Sequence, residues 1–150
     1  MSAKQEMPLW GRRILVTRAA HQARELSVRL RELGAEPIEY PVITITLPED
    51  LDQLDQALIH AARGGYDWVI FTSVNGVAAV AERMATLGLE RIGFSRARVA
   101  VIGPATAHAV TELLHWPVAV MPPAYVAEAL AAAMGDVQGQ SVLLARADIA

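Results

Sequence analysis

The sequence has no cysteine, a single lysine, and no apolar segment long enough to cross a membrane. The absence of cysteine excludes disulfides, thiol nucleophiles and thiolate metal ligands, and it agrees with a cytoplasmic location. A membrane-spanning helix needs about 20 apolar residues, so we expect no membrane partner. The first residues carry charges without a long apolar stretch after them, and a secretory signal is therefore not expected.

The basic residues are almost all of one kind. Lys4 is the only lysine among 13 basic residues, and the others are arginines. Lysine chemistry is therefore nearly excluded, whereas arginine suits the recognition of carboxylates and phosphates through paired hydrogen bonds. A GC-rich genome, which favours arginine codons, is the simpler explanation of this bias. The net charge of −3 makes a nucleic-acid partner unexpected.

Apolar segments typical of buried strands alternate with helical patterns along the chain. This alternation predicts a doubly wound α/β fold, in which a parallel sheet is covered on both faces. In the first helix, the apolar stripe includes Ala23, Leu26 and Leu33. Pro37 and Pro41 argue against a central position for the second strand. The predicted strands are 14–18, 36–47, 68–71, 98–102, 117–120 and 141–145, and the predicted helices are 20–33, 48–63, 73–87, 106–115 and 124–134.

The loops after four of these strands contain small, polar and basic residues where the next helix begins. In parallel α/β sheets, ligands bind beyond the carboxyl ends of the strands, and helix amino termini attract anions there. Ser73 and Thr106 offer hydroxyl groups, and Arg18 and Arg146 offer positive charges. The simpler alternatives are helix capping for the hydroxyls and surface ion pairs for the arginines. The four segments are 17–18, 72–76, 103–107 and 146–148.

Several known ligand motifs are absent from the sequence. GxxxxGK[ST] does not occur, and no GxGxxG follows the first strand, so neither a P-loop nor a dinucleotide site is expected. A flavodoxin-like domain that binds a nucleotide would need such a phosphate loop. The first strand ends in Thr17 and Arg18 rather than in acidic residues, which disfavours a phosphoacceptor receiver domain. The histidines lack partners at metal-ligand spacing, so no metal is expected.

Five short motifs occur in a recognisable order. They are ILVTR at 14–18, PVI at 41–43, IFTSVNG at 70–76, VIGPATA at 101–107 and LLAR at 143–146. Each motif is weak alone, but the ordered series is fairly specific. Over residues 11–150 the chain resembles the first part of the uroporphyrinogen-III synthases, whose members are considerably longer.

The resemblance implies a bilobal protein with two flavodoxin-like α/β lobes, joined by a pair of strands, and an active site in the cleft between them. Residues 1–10 would be a flexible leader, and residues 11–40 would begin the first lobe. Residues 41–150 would form a crossing strand and most of the second lobe, and the rest of the family fold would follow after residue 150. Family members carry a tyrosine on a later strand, and Tyr125 does not match it.

The resemblance also implies a function. These enzymes are lyases that cyclise hydroxymethylbilane, a linear tetrapyrrole with many carboxylates, and invert ring D to give uroporphyrinogen III. They use no cofactor, and the full-length protein is expected to be a monomer. The alternative from a different class is a non-catalytic α/β module that binds a small anionic ligand. The implied catalytic residue is Thr106, and the implied substrate-binding residues are Arg18, Thr72, Ser73, Asn75, Gly103 and Arg146.

Overall fold

The computed structural model describes residues 7–89 and 96–146. The chain divides into two compact units, Met1–Thr46 and Leu47–Ala150, called unit 1 and unit 2 below. The predicted change of lobe, at residues 40–41, lies a few residues before the boundary between the units.

In unit 1, one helix connects two parallel strands. β1 (Arg13–Val16) pairs with β2 (Glu36–Glu39), and α1 (Ala20–Glu32) lies between them in the chain. Residues 7–10, the described part of the predicted leader, form a turn that is hydrogen-bonded to the end of α1. The N–H of Leu9 donates to the carbonyl of Leu33 at 2.9 Å, so this part of the leader is attached to the unit.

The apolar stripe of α1 is only partly buried. Ala23 is completely buried, and Val16 of β1 is 2% exposed. Leu26 and Leu33 are 36% and 41% exposed. Two strands present too little surface to bury a whole helix face. Two-stranded sheets are also only marginally stable by themselves.

The strand predicted over residues 36–47 is wrong beyond Glu39. Residues 40–51 form neither helix nor strand. Pro41 has no N–H for a sheet ladder, and the β-branched segment 42–46 has no partner strand among the described residues. A preference for extended backbone becomes a strand only where another strand pairs with it.

Unit 2 contains a four-stranded parallel sheet in the order β5-β4-β3-β6. The chain runs outward from β3 through β4 to β5 and then returns to place β6 on the other side of β3. The strands are β3 (Trp68–Phe71), β4 (Arg98–Val101), β5 (Val118–Val120) and β6 (Val142–Ala145), and the helices are α2 (Asp52–Ala62), α3 (Val74–Leu87), α4 (Pro104–Ala109) and α5 (Ala127–Met134).

Helices cover both faces of this sheet, as the apolar strands predict. Successive residues of a strand point to opposite faces. Val69 and Phe71 therefore join a large core with side chains from α2, α3 and α4. Trp68 and Ile70 face the other side, where they pack with Leu130 of α5. The predicted doubly wound α/β fold is confirmed.

The helix predicted over residues 106–115 begins earlier and changes its form. α4 begins at Pro104, because proline suits a first helical position, and it continues into a π-helical turn at Val110–Leu114. The turn ends at His115, whose φ of 53° is left-handed. A π-helical turn adds a residue to the repeat, so an apolar pattern of period 3.6 does not reveal it.

A hydrogen-bonded ion pair joins α2 to α3. Arg83 donates to both carboxylate oxygens of Asp55, at 2.5 and 2.6 Å. These hydrogen bonds lower the pKa of Asp55 below its ordinary value of 3.8, burial opposes the change, and the positive charge of Arg83 adds to it.

We expect Asp55 to stabilise unit 2 at neutral pH and to lose this effect in acid. A carboxyl group whose pKa is lowered by folding stabilises the folded state above its unfolded pKa and stops doing so as it becomes protonated. The melting temperature of Asp55→Asn should therefore lie below that of the unaltered chain at pH 7, and the gap should shrink below about pH 4. A gap that stays constant from pH 7 to pH 3 would contradict this role.

Candidate functional site

Three of the four predicted strand-end segments meet at one edge of the sheet in unit 2. β3, β4 and β6 are parallel neighbours, so the residues that follow them lie side by side. We call this the carboxyl edge and define it by residues 72–76, 103–106 and 146. Ser73 and Thr106 lie at the same end of the sheet, as predicted. Residues 147–148, also part of the predicted site, lie outside the described residues.

The fourth segment does not belong to this sheet. Arg18 follows β1, which among the described strands pairs with β2 alone, in the separate sheet of unit 1. The expectation that all four strand ends share one sheet edge is therefore wrong, because the first strand has no partner among β3–β6. Arg18 is exposed, and it makes no ion pair with any residue in the described part of the chain.

The loop between β3 and α3 is fixed by a helix cap. The hydroxyl oxygen of Ser73 accepts a hydrogen bond from the N–H of Gly76 at 3.2 Å, and Ser73 is the N-cap of α3. The capping alternative is thus confirmed for Ser73, although its hydroxyl proton can still be donated to a ligand. Thr72 beside it is exposed, and Asn75 in the first turn is half-buried.

Gly76 brings the start of α3 close to the end of β6, a feature that sequence analysis did not single out. A Cβ at this position would lie 3.2 Å from the carbonyl oxygen of Ala145, which is tighter than an ordinary contact. The absence of a side chain allows the two segments to approach. Arg146, the next residue after Ala145, is consequently held beside the loop that carries Ser73.

The loop between β4 and α4 has a backbone that favours glycine. Gly103 has φ 85° and ψ 153°, a region that residues with a side chain rarely adopt. Gly103 itself is the N-cap of α4, and Thr106 lies inside the helix, 4% exposed. The capping alternative is therefore wrong for Thr106, and its hydroxyl makes no hydrogen bond within the described part of the chain.

Arg146 supplies the positive charge of the carboxyl edge. It is exposed, and among residues 7–89 and 96–146 no carboxylate forms an ion pair with it. The ion-pair alternative thus finds no partner within that part of the chain. A guanidinium group in this position can donate hydrogen bonds to a carboxylate or a phosphate group of a ligand.

An open groove of about 490 Å³ leads from these polar residues along the sheet face that carries α5. Its polar end is formed by Thr72, Ser73 and Arg146. The remaining walls are apolar, so the groove presents a cation and hydroxyl groups at one end and a hydrophobic surface beyond them. The apolar lining residues are Ile70, Ile102, Ala127, Leu130, Ala131, Met134 and Leu144.

The described residues contain no group of histidine, aspartate and glutamate side chains that would hold a metal ion. No helix within the same residues is both long and apolar enough to cross a membrane. The groove at the carboxyl edge offers hydroxyl groups, a guanidinium group and apolar surface to a ligand.

Comparison with known proteins gives consistent matches. A family model described as "Uroporphyrinogen-III synthase HemD" matches residues 24–150. The chain is 36% identical over 144 residues to the uroporphyrinogen-III synthase of Synechococcus elongatus, and this alignment covers 95% of this chain and 53% of the Synechococcus protein. It is 34% identical over 109 residues to the porphyrin biosynthesis protein HemD of Ruminiclostridium josui, and this alignment covers 71% of this chain and 21% of the Ruminiclostridium protein.

A solved structure shows the same fold. The crystal structure of uroporphyrinogen III synthase from the extremely thermophilic bacterium Thermus thermophilus matches with a TM-score of 0.56 at 19% identity, over 93% of this chain and 53% of that one. The chain thus spans about half the length of the Synechococcus and Thermus proteins. The family model covers most of the chain, and the motifs at the carboxyl edge lie within the matched residues. This chain belongs to the uroporphyrinogen-III synthase family.

Proposed function

We propose that this chain provides part of the substrate site of a uroporphyrinogen-III synthase, which converts hydroxymethylbilane into uroporphyrinogen III. The observation that carries the proposal is the convergence of three family motifs on the carboxyl edge of unit 2. There they combine hydroxyl groups, an arginine without an ion pair in the described chain, and an apolar groove. This combination fits a ligand that is both apolar and rich in carboxylates.

The protein does not need to supply electrons or a strong nucleophile to the proposed reaction. Loss of the terminal hydroxyl group from hydroxymethylbilane leaves an electrophilic azafulvene. The last pyrrole attacks it through its substituted α-carbon, and the spiro intermediate breaks and closes again with ring D inverted. The pyrroles supply the electrons, so no cofactor is needed. The protein holds one reactive conformer, which is catalysis by orientation, and assists the departure of the hydroxyl group.

The proposed residue roles rest on the family resemblance and, in unit 2, on positions at the carboxyl edge. Arg146 binds a substrate carboxylate, and Arg18 on unit 1 is proposed for the same task. Thr106, which is 4% exposed, is proposed to donate a hydrogen bond near the leaving hydroxyl group. Thr72, Ser73 and Asn75 contact the substrate with polar groups, and Gly103 lets it approach the backbone.

The proposal extends to the organisation of the protein. Residues 11–40 belong to the first lobe of the family, and residues 41–150 contain the connection between the lobes and most of the second lobe. The protein works in the cytoplasm as a monomer, on a small molecule and without nucleic acid or membrane. Ring-isomer analysis of a chimera, in which the chain is completed by the rest of a family member, separates this function from that of a non-catalytic anion-binding module, because a module without activity leaves only the symmetric isomer that forms spontaneously.

Replacement of Arg146 tests the binding role. Equilibrium dialysis of the chain against uroporphyrin III, a stable oxidised tetrapyrrole with the same carboxylate side chains, should show weak but measurable binding. Arg146→Gln should weaken it about two- to fivefold at low salt, since an exposed ion pair contributes at most about 1 kcal/mol. The effect should decrease at high salt because ions screen the pair.

Arg96→Gln is the matched control. It removes the same charge from an exposed position before β4, at the opposite edge of the sheet. If both variants weaken binding equally, only the net charge matters, and the proposed role of Arg146 is wrong.

A further inference from the structure

The loop between β5 and α5 adds apolar side chains to the carboxyl edge. β5 is parallel to β4, so the residues that follow it lie at the same edge as Gly103. Three of them are large and exposed, namely Met121 at 45%, Tyr125 at 56% and Val126 at 51%. None belongs to the five motifs of the family resemblance.

Tyr125 is the residue of this loop that borders the site. A Cβ placed on Gly103 would lie 3.9 Å from ring carbon Cγ of Tyr125. The tyrosine therefore lies beside the glycine whose backbone begins α4. Within the described part of the chain, its hydroxyl group makes no hydrogen bond and its ring makes no contact with another aromatic ring.

The distance between Tyr125 and Arg146 indicates the size of the ligand. Tyr125 lies beside Gly103, which follows β4, and Arg146 follows β6, two strands away in the sheet. Two interstrand spacings of about 4.8 Å put roughly 10 Å between these strand ends. A single small anion would occupy only the Arg146 end, whereas a ligand with several rings would span the distance to Tyr125.

We propose that Tyr125 contacts a pyrrole ring of the bound tetrapyrrole and forms the wall of the site opposite Arg146. This inference rests on the proposed function. Arg146, Thr72 and Ser73 recognise polar groups, and a pyrrole ring needs an apolar surface as well. An aromatic side chain stabilises a contact with another ring by more than the apolar area that it buries. The simpler alternative is that Tyr125 only covers the backbone at Gly103.

Equilibrium dialysis against uroporphyrin III at low and high salt tests the inference. Tyr125→Ala should weaken binding about three- to tenfold at both salt concentrations, because a ring contact is not screened by ions. Tyr125→Phe keeps the ring and should bind within about twofold of the unaltered chain. Leu113→Ala is the control, since Leu113 is similarly exposed but lies near the end of the π-helical turn. Melting temperatures establish that each variant is folded.

The outcomes separate the inference from the function on which it rests. If Tyr125→Ala binds as the unaltered chain does while Arg146→Gln binds more weakly, the inference is overturned and the proposed function stands. A melting temperature that falls without any change in binding would leave Tyr125 as a cover for Gly103 and overturn the inference too. If the unaltered chain binds no uroporphyrin III, both proposals fail.

Discussion

Incubation of residues 1–150 alone with freshly made hydroxymethylbilane should give uroporphyrinogen I and no enrichment of uroporphyrinogen III over buffer. The chain spans 53% of the Synechococcus enzyme, so any substrate contacts made by the other half of such an enzyme are absent when residues 1–150 are tested alone. Between residues 7 and 46, unit 1 provides two strands and one helix. A conformer of the substrate that is held from one side remains free to close into the symmetric ring, so the expected loss of isomer control is complete.

A chimera provides the positive control for this result. Residues 1–150 would replace the matching part of the Synechococcus enzyme, and circular dichroism would establish that the product is folded. The chimera should form uroporphyrinogen III. Enrichment of that isomer by residues 1–150 alone would show that about half of such an enzyme is enough for isomer control, whereas a folded chimera without activity would favour the non-catalytic alternative.

Gly103→Ala should lower the free energy of unfolding by about 1–3 kcal/mol, because a side chain is strained at φ 85° and ψ 153°. The strain comes from the backbone alone, since the added Cβ would meet Tyr125 only at 3.9 Å, an ordinary contact distance. The loop would relieve this strain by moving, so binding of uroporphyrin III should weaken as well. Urea unfolding curves and equilibrium dialysis measure the two effects.

Gly88→Ala is the matched control for this substitution. Gly88 also has a positive φ, but its values of 63° and 28° lie in the left-handed region that other residues occasionally adopt. An added Cβ there would meet nothing within 4 Å. If the two substitutions lower the free energy of unfolding equally, the unusual backbone angles of Gly103 make no particular contribution to stability.

The sequence was sufficient to predict the parallel sheet of unit 2. Its strands are apolar on both faces, and Val69 and Ile70 do pack on opposite sides of the sheet. Ser73 was also recognisable as a candidate N-cap, since its side chain acts on a residue three positions away in the chain. Features that depend on the spacing of apolar residues, or on side chains a few positions apart in the chain, can be predicted from the sequence.

Features that depend on distant segments were not predicted. The strand expected beyond Glu39 needs a partner, and a local preference for extended backbone does not supply one. The role of Gly76 depends on Ala145, which lies far along the chain. Tyr125 likewise borders the site only because β5 lies beside β4. The sequence motifs identified the ends of three strands. Only the fold shows which other residues lie beside them at the carboxyl edge.

The most direct test of the account is to map where a tetrapyrrole binds. Uroporphyrin III should be titrated into the chain labelled with ¹⁵N, and the backbone amide shifts should be followed by NMR. Within unit 2, we expect the largest changes at residues 72–76, 103–107, 125 and 146. The opposite edge, where Trp68 and Arg98 both donate to Gln140, should change little. Largest changes at Trp68, Arg98 and Gln140, or no changes at all, would contradict the assignment of the carboxyl edge as the tetrapyrrole site.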